Sequence, residues 1–420
     1  MARLLYLVHR LPYPPNKGDK VRSYHLLRHL VRQHEVHLGT FIDDAEDEVH
    51  LPVVQGLCAS VHVERLHPRR ARVVSLAGLV RGEALSVHYY RSARMRLWVG
   101  DTVARHGIDA AVVFSSTMAP YLEPHPTLPM LLDMVDVDSA KWAAYAPRHR
   151  WPMSWLYRRE AETLLLCEQA AARAARTTYL ATLKEAELFR SLAPDSAARV
   201  QALSNGVDTD FFVSQPDRYS PFATGEQAIV FTGAMDYWPN VDAVCWFAAE
   251  VLPALRARHP ALRFHIVGRS PAPAVLELAS DAAAGIQVTG TVPDVRPYLQ
   301  HASVVVAPLR LARGIQNKIL EAMAMERPVV AAATCVEAMT ARDGNQLLAA
   351  ISASDFIAAV NMLLADAGQA AAIGCAGRAH VLEHYGWDAH LAGVDRDLLA
   401  ATTDSNSRAA TPSRLQGVLT

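Results

Sequence analysis

The chain has 420 residues, of which 51% are hydrophobic and 20% charged, and this globular composition excludes a disordered or collagenous protein. The 41 Lys and Arg residues nearly balance the 42 Asp and Glu residues, giving a net charge of −1, so we expect no nucleic-acid partner. The five cysteines are scattered without a Cys-x-x-Cys pair, which predicts a reducing compartment and neither a disulfide framework nor a zinc site.

The first residues, MARLLYLVHRLPYPP, are not typical of a signal peptide, because the apolar run is short and prolines follow it. No uninterrupted apolar window reaches the length of about 18 residues that spans a membrane. We therefore predict a cytoplasmic protein, with peripheral contact at the inner face of the cytoplasmic membrane as a further expectation.

In the first half of the chain, short apolar runs alternate with amphipathic segments such as the predicted helix Val21–Arg32. Near-continuous apolar runs are typical of parallel strands that are buried on both faces. The predicted strands are Leu4–Val8, Val36–Phe41, Ala110–Phe114, Met130–Met134 and Thr177–Leu180.

A second series of the same kind begins after Asn205, and two such series predict an α/β fold with two Rossmann-like, doubly wound parallel-sheet domains. The predicted strands of this series are Ala228–Thr232, Arg263–Val267, Ile286–Thr289, Val304–Ala307 and Val329–Ala332. The predicted helices are Val241–Arg258, Pro273–Ala279 and Lys318–Met325.

Loop-like composition places the boundary between the domains in the region from Asp195 to Ser220. We predict one domain over residues 1–200 and a second over 201–380. Residues 381–400 are expected to form a helix that returns to the first domain, and the polar residues 401–420 a disordered tail.

The segment Val306–Ala331 carries the strongest chemical signal, because a strand is followed there by a loop with Gly314 and by a helix. Asn317 is expected to cap this helix, leaving the N–H groups of Lys318, Ile319 and Leu320 free at its positive end. These amides and the Lys318 ammonium would attract an anion, with Arg313 adding a second cation from the loop.

Glu321 lies one helical turn after this end, where its two oxygens can accept a pair of sugar hydroxyls. Together these residues predict a pocket for the diphosphate of a nucleotide sugar at the carboxyl edge of a sheet. The alternative is an ordinary exposed ion pair between Lys318 and Glu321 on one helix face.

The same segment resembles the donor-site signature of glycosyltransferase family 4, whose members are retaining enzymes of the GT-B fold. Glu321 matches the second glutamate of that signature, and Arg327–Val330 matches the turn and strand that follow. Arg313 occupies the position of the first glutamate, so the resemblance does not fix the identity of the transferred sugar or the presence of activity. The run Arg313-Gly314-Ile315-Gln316-Asn317-Lys318 resembles sugar transferases associated with PEP-CTERM/exosortase exopolysaccharide systems.

The resemblance implies further donor-binding positions in the second domain. Gly233, in the turn after the first strand, would let the diphosphate approach the backbone, and Val292 lies where the family's backbone meets the base. The family places basic residues after that glycine, whereas this chain does not, so Arg269 is the candidate replacement. A solvated loop arginine is the alternative for Arg269.

In the first domain, which would bind the acceptor, Gly18 and Asp19 match the family's glycine-rich first loop and would close over donor phosphates. Asp136 and Asp138 form an Asp-x-Asp pair, which in the GT-A fold binds a metal, but tandem Rossmann-like domains disfavour that fold. Either carboxylate would orient an acceptor hydroxyl, with helix capping as the alternative.

Taken together, the resemblance implies a retaining hexosyltransferase whose two domains face each other across a cleft. A nucleoside diphosphate sugar would be the donor, and a glycan or polyprenyl-linked sugar the acceptor. Lys318, the helix amides and an arginine would stabilise the leaving diphosphate, so no cofactor and no metal are expected. The alternatives are a nucleotide-sugar epimerase of the same fold and a catalytically silent binding subunit of a polysaccharide assembly complex.

The region from Arg65 to Arg96 contains eight arginines and a single acidic residue, Glu83, with aliphatic side chains between them. This pattern is typical of an amphipathic surface that rests on anionic lipid. Solvated arginines on ordinary packed helices are the alternative.

Overall fold

A computed structural model describes residues 1–15, 18–310 and 315–409. The chain divides into two compact units. Unit 1 comprises Met1–Leu203 together with the last helix from Leu391 onward, and unit 2 comprises Ser204–His390. Each unit is built around one parallel sheet with helices between consecutive strands, so the predicted pair of Rossmann-like α/β domains is confirmed.

Unit 1 contains a seven-stranded sheet with the strand order β3-β2-β1-β4-β5-β6-β7. Its strands are β1 Arg3–Val8, β2 Glu35–Ile42, β3 Ser60–Arg65, β4 Ala110–Phe114, β5 Met130–Val135, β6 Thr177–Leu180 and β7 Val200–Ala202. Its helices are α1 Gly18–Gln33, α2 Leu51–Gln55, α3 Pro68–Ser75, α4 Ala77–Arg81, α5 Leu85–Tyr89, α6 Ala93–His106, α7 Asp138–Tyr145, α8 Met153–Ala174 and α9 Leu183–Leu192.

Unit 2 contains a six-stranded sheet with the order β10-β9-β8-β11-β12-β13. Its strands are β8 Gln227–Thr232, β9 Leu262–Val267, β10 Ile286–Gly290, β11 Val304–Ala307, β12 Val329–Ala332 and β13 Leu348–Ala350. Its helices are α10 Trp238–Glu250, α11 Leu252–Arg258, α12 Pro273–Leu278, α13 Arg296–Gln300, α14 Asn317–Ala324, α15 Ala333–Val336, α16 Ala353–Ala365 and α17 Ala367–His384, and α18 Trp387–Ala409 runs on into unit 1.

The central strands of both sheets are buried along nearly their whole length, because helices cover both faces of a doubly wound sheet. In each sheet the chain first builds outward on one side and then returns to the other side of the first strand. The order therefore reverses between β1 and β4 in unit 1 and between β8 and β11 in unit 2. Loops at such a reversal diverge and leave a crevice at the carboxyl ends of the strands, where α/β proteins bind ligands.

The strands that the sequence did not reveal lie at sheet edges. β3, β7 and β13 are three of the four outermost strands, the fourth being the predicted β10, and β7 and β13 have three residues each. An edge strand has one strand neighbour, and β3, with the sequence SVHVER, is half-buried rather than continuously apolar. These short or mixed runs lack the apolar pattern that identified the central strands.

Two predicted segments differ from the structure. The helix predicted over Val241–Arg258 is divided at Val251 into α10 and α11, because Pro253 stands in the first turn of α11 and has no backbone N–H to continue the earlier helix. The predicted disordered tail begins as helix, since α18 continues to Ala409. Residues 402–409 contain neither Pro nor Gly and extend a helix whose buried side is anchored by Leu391, Val394 and Leu398. Residues 410–420 lie outside the described part of the chain.

Within the described ranges, none of the individual helices has the length and apolar character needed to cross a membrane. In that part of the chain, α16 and α17 taken together meet those criteria, and they are bent by 106° relative to each other.

Candidate functional site

The crevice of unit 2 lies where the sheet order reverses, between the carboxyl ends of β8 and β11. The loop after β8 begins at Gly233, and α14 is the helix that follows β11. Lys318 in the first turn of α14 reaches across to the β8 side, where its Nζ lies 4.0 Å from the centre of the Phe231 ring. The predicted site therefore lies at the topological reversal, which is the position that a ligand pocket requires.

Two glycines allow the loops after β8 and β9 to meet. A Cβ at Gly268 would lie 1.6 Å from the carbonyl oxygen of Gly233, so only glycine fits at that position. The two loops are joined by hydrogen bonds from Gly233 N–H to Val267 O (3.0 Å) and from Met235 N–H to Arg269 O (2.9 Å). A Cβ at Gly233 would lie 3.0 Å from Lys318 Nζ, so this glycine leaves the space into which the ammonium projects.

Asn240, in the first turn of α10, fixes the position of Lys318. Its Oδ1 accepts a hydrogen bond from Lys318 Nζ at 2.7 Å, and its Nδ2 donates to Ala234 O at 2.8 Å. The buried amide thus connects the glycine turn to the ammonium. The contacts with Asn240 and Phe231 hold the ammonium without giving it an opposite charge.

The charged groups of Lys318 and Glu321 are poorly compensated in this environment. Burial lowers the pKa of Lys318 to about 7, with Cys335 and Glu321 acting in the opposite direction. Burial raises the pKa of Glu321 to about 7, and Lys318 opposes that rise. Perturbed ionisable groups in a crevice at a sheet reversal are typical of a functional site.

The Glu321 carboxylate makes no hydrogen bond or ion pair with any part of the chain that the structure describes, although its backbone carbonyl accepts from Met325 N–H at 3.1 Å. The alternative of an exposed Lys318–Glu321 ion pair is therefore wrong, because the Lys318 ammonium is directed to Asn240 instead. A half-buried carboxylate without a protein donor retains its full capacity to accept two hydroxyl groups.

The amino end of α14 differs from the prediction in one respect. The N-cap is Gln316 rather than Asn317, and its side chain does not cap the helix. The Ile319 N–H donates to Gln316 O at 2.9 Å, so this amide is not free as predicted, and Leu320 N–H makes a longer contact of 3.5 Å with the same oxygen. Asn317 instead accepts a hydrogen bond from Asn205 Nδ2 at 3.4 Å, which ties the start of the helix to the chain preceding β8.

The other donor-site candidates lie around the same edge. Arg269 follows β9, is half-buried, and its buried Nε has no hydrogen-bond partner among the described residues. Val292 follows β10 and packs against the core of unit 2, as does Ile315 just before α14. Arg313 and Gly314 lie outside the described residues.

In unit 1, Gly18 begins α1 and is exposed, whereas Asp19 is already engaged by the end of β1. The Asp19 Oδ2 atom lies 3.0 Å from Arg10 Nη1 and 3.5 Å from His9 Nε2. Burial alone would raise the pKa of Asp19, but His9 and Arg10 together hold it well below its usual range.

Asp136 and Asp138 follow β5 and share one cation. Lys141 Nζ lies 2.8 Å from Asp136 Oδ2 and 3.0 Å from Asp138 Oδ1. Burial alone would lower the pKa of Lys141, but Asp138 and Asp136 raise it well above its usual range. The capping alternative is wrong, because Val137 is the N-cap of α7 and no side chain caps it.

No cluster of three or more His, Cys, Asp or Glu residues suited to a metal ion occurs in residues 1–15, 18–310 and 315–409. Sequence reasoning missed Asn240 and Phe231, whose role depends on how α14 lies beside β8. Gly268 was visible in the sequence as part of Val267-Gly268-Arg269, but its close approach to Gly233 depends on the three-dimensional structure.

Comparison with known proteins agrees with this geometry. Residues 226–366 match the family model described as "Glycosyl transferases group 1". No curated protein sequence matches the chain.

Solved structures share the fold at low sequence identity. Sucrose-phosphate synthase from Thermosynechococcus elongatus superposes with a TM-score of 0.67 at 16% identity, covering 98% of this chain and 100% of that one. HepE of Anabaena, solved in complex with UDP, gives a TM-score of 0.65 at 14% identity, covering 95% of this chain and 100% of that one. A glycosyltransferase from Rickettsia africae gives 0.64 at 12% identity, covering 96% of this chain and 98% of that one.

The chain therefore shares the GT-B fold of these structures, with two parallel-sheet Rossmann-like domains, and its residues 226–366 are similar to group 1 glycosyl transferases. The segment that matches the family model contains Gly233, Asn240, Lys318 and Glu321, which are the residues that meet at the crevice of unit 2.

Proposed function

We propose that the protein is a retaining hexosyltransferase that moves a sugar from a nucleoside diphosphate sugar to an acceptor hydroxyl. The observation that carries this proposal is the crevice of unit 2. There, a buried ammonium faces the glycine turn without a carboxylate partner, and a carboxylate one turn away has no protein donor. A diphosphate and a ribose present the complementary groups, namely anionic oxygens and a pair of hydroxyls.

In this proposal the diphosphate lies against the Lys318 ammonium, the positive amino end of α14 and the Gly233 turn, with Arg269 as a further cation. Glu321 accepts hydrogen bonds from the ribose hydroxyls. Val292 lies beside the base, and Ile315 supports the loop before α14. HepE of Anabaena, which shares the fold, is solved in complex with UDP and with UDP-glucose, and UDP-sugars are therefore the first donors to test.

The reaction breaks the bond between the sugar's anomeric carbon and the diphosphate oxygen and forms a bond from that carbon to the acceptor oxygen. The acceptor proton passes to the departing diphosphate, so no separate base or metal is needed. Lys318 and the positive end of the α14 dipole stabilise the negative charge that grows on the leaving oxygen, and such electrostatic stabilisation is usually the largest contribution of a preorganised site. Retention of the anomeric configuration is proposed from the resemblance to family 4.

The acceptor in this proposal is a hydroxyl of a growing glycan or of a polyprenyl-linked sugar, made in the cytoplasm for exopolysaccharide biosynthesis. This part also derives from the resemblance. Asp136 and Asp138, which both contact Lys141, are the candidates for orienting the acceptor in unit 1. Gly18 and Asp19, at the start of α1, are further candidates that derive from the resemblance.

The experiment begins with a panel of nucleotide sugars screened for thermal stabilisation, because a ligand that binds only the folded state raises its stability by mass action. The selected donor is then incubated with acceptor sugars in the presence of EDTA. We expect a glycoside whose anomeric configuration, measured by NMR, equals that of the donor.

Two results would overturn the proposal. An epimerised nucleotide sugar formed without acceptor would assign the protein to the epimerases. Tight donor binding with no transfer to any acceptor would assign it as a binding subunit. Loss of transfer in EDTA that Mn²⁺ restores would contradict the metal-free chemistry alone.

A further inference from the structure

The helix that follows the Gly233 turn carries aromatic and charged side chains along one face. Trp238, Asp242 and Trp246 are spaced four residues apart in α10, so they lie on the same side of the helix. Trp238 is 55% exposed, and Tyr237, which precedes it as the N-cap of α10, is 58% exposed. Large aromatic side chains exposed next to each other on a folded protein are typical of a binding surface.

An arginine from the other side of the sheet reversal completes this surface. Arg310 follows β11, and its guanidinium contacts both oxygens of Asp242, from Nη2 to Oδ1 at 2.6 Å and from Nε to Oδ2 at 3.1 Å. Its Cζ lies 5.6 Å from the centre of the Trp246 ring. The ion pair thus joins the helix after β8 to the segment after β11, and these flank the crevice of unit 2. We define the rim surface as Tyr237, Trp238, Asp242 and Arg310.

The chain that carries the two exposed aromatic residues is fixed on both sides. Before them, Met235 is fully buried, and its carbonyl oxygen accepts a hydrogen bond from Ala272 N–H at 3.0 Å. After them, Asn240 is buried, and its side-chain amide donates to the backbone carbonyl of Ala234 at 2.8 Å. A surface held in this way needs little further ordering of its backbone when a ligand binds.

The charges of the rim surface are balanced, yet its polar groups retain hydrogen-bonding capacity. Asp242 is 17% exposed and Arg310 is 49% exposed, and each compensates the charge of the other. Each Asp242 oxygen accepts one N–H from Arg310 and can accept a second donor, while Arg310 Nη1 has no hydrogen-bond partner in the described part of the chain. Asp236, exposed just before Tyr237, further disfavours an anion. These groups suit a neutral ligand that offers adjacent donors and acceptors.

We propose that the rim surface binds a sugar ring of the glycan acceptor. The C–H groups on one face of a pyranose pack against Trp238 and Tyr237, whose ring faces carry partial negative charge, and hydroxyls at the ring's edge bond to the ion pair. A sugar fits better than a nucleobase, because the proposed place of the base is beside Val292, after β10 and two strands away from β8. The inference rests on the proposed function only in identifying this glycan as the acceptor.

The test is a titration of the full chain, without donor, with cellotetraose, maltotetraose, mannotetraose and xylotetraose, followed by ligand-observed NMR. We expect at least one of these neutral glycans to bind, and Trp238→Ala to weaken that binding at least about tenfold. Trp238→Phe keeps an aromatic face and should bind within about threefold of the wild type. Trp155→Ala removes a comparably exposed indole, at 51%, from α8 of unit 1 and should leave binding unchanged.

A second variant tests the polar half of the rim surface. Arg310→Lys keeps the positive charge but removes the planar fork that contacts both Asp242 and a hydroxyl. We expect weaker tetrasaccharide binding with an unchanged melting temperature, because an ion pair this exposed contributes little to stability. In transfer assays, Trp238→Ala should raise the KM of the acceptor and leave the KM of the donor unchanged.

Failure of the wild type to bind any of the four tetrasaccharides, or equal binding by the wild type and Trp238→Ala, would overturn the proposal. So would a loss of UDP affinity in Trp238→Ala without a loss of tetrasaccharide affinity, because the indole would then stack on the nucleotide. Tetrasaccharide binding that depends on Trp238 in a chain that transfers no sugar would support the rim surface and refute the transfer reaction alone.

Discussion

The charged side chains near the two sheet reversals of this molecule differ in their partners. In unit 1, charged side chains around the carboxyl edge neutralise one another: Arg22 with Asp133, Lys20 with Asp47, and Lys141 with Asp136 and Asp138. In unit 2, the Lys318 ammonium has an amide and an aromatic ring as partners, and Glu321 has none among the described residues.

The difference distinguishes charged side chains that stabilise the fold from charged side chains that are available to a ligand. A buried ion pair satisfied within the protein has little reason to exchange its partner for a ligand. An ammonium and a carboxylate whose burial is not compensated gain free energy when a ligand supplies the missing groups. We therefore propose that unit 2 binds the donor and that the charge pairs of unit 1 contribute mainly to stability.

The largest expected effect concerns the contribution of the unit 1 charge pairs to stability. Arg22 and Asp133 are both 1% exposed and joined at 2.7 Å, so Arg22→Met leaves a buried carboxylate without its cation. We expect the free energy of unfolding to fall by about 3 to 5 kcal/mol in chemical denaturation. Arg258→Met, at an exposed position without an ion pair, is the control.

Donor affinity of the folded Arg22→Met fraction should remain unchanged. If that variant does not fold, Asp133→Asn, which retains a hydrogen-bonding amide, serves the same purpose. A loss of donor affinity without a loss of stability would reverse the roles that we give to the two edges.

The next effect is on turnover. Lys318→Ala removes the cation that faces the leaving diphosphate, and we expect kcat/KM to fall about a hundredfold, equivalent to about 2.7 kcal/mol of transition-state stabilisation. The exposed Lys184→Ala, measured in parallel, should retain wild-type kinetics. Unchanged kinetics in Lys318→Ala would remove this residue from the site.

The Glu321→Gln substitution should weaken donor binding about tenfold, because a neutral amide replaces one of the two carboxylate oxygens that accept ribose hydroxyls. Calorimetry with the ordinary nucleotide and with its 2′,3′-dideoxy analogue separates this role from a general loss of structure. The variant and the wild type should bind the dideoxy analogue equally, and an equal loss for both ligands would contradict the ribose assignment.

The smallest effect is the dependence of donor affinity on pH. The pKa of Lys318 is about 7, so its positive charge is lost as the pH rises above 7. The pKa of Glu321 is also about 7, so its capacity to accept two hydroxyls is lost as the pH falls below 7. Affinity should be greatest near neutrality and fall by at most about tenfold per pH unit on each side.

Variants assign the two limbs of this pH profile. Lys318→Met should flatten the alkaline limb and Glu321→Gln the acidic limb, while titration of the ligand itself affects all proteins alike. Because a bound diphosphate favours the protonated amine, the pKa of Lys318 should be higher in the donor complex, and the decline of affinity with rising pH should level off above that higher pKa. Identical profiles for the wild type and both variants would show that neither residue meets the ligand.

Much of the architecture could be predicted from the sequence, because central strands in doubly wound sheets are continuous apolar runs and glycine turns precede the helices. Lys318 and Glu321 were identifiable because their spacing at a helix start is chemically meaningful. Three of the four edge strands, β3, β7 and β13, could not be found in this way, because β7 and β13 have three residues each and β3 mixes apolar with charged residues.

Long-range partners were also beyond the reach of sequence patterns. The burial of Arg22 depends on Asp133, 111 positions away, and the position of Lys318 depends on Asn240, 78 positions away. Sequence spacing gives the composition of a helix face, but not which strand lies beside it. The pairing of Lys141 with Asp138, by contrast, has the i,i+3 spacing of a helix face and was open to prediction.

The central claim is that the crevice between β8 and α14 binds a diphosphate through Lys318. The most direct measurement is calorimetric titration of the wild type and Lys318→Ala with the nucleoside diphosphate chosen by the thermal screen and with the nucleoside that lacks both phosphates. We expect Lys318→Ala to weaken diphosphate binding at least about tenfold and to leave nucleoside binding unchanged. Equal affinity of the two proteins for the diphosphate, or an equal loss for both ligands, would contradict it.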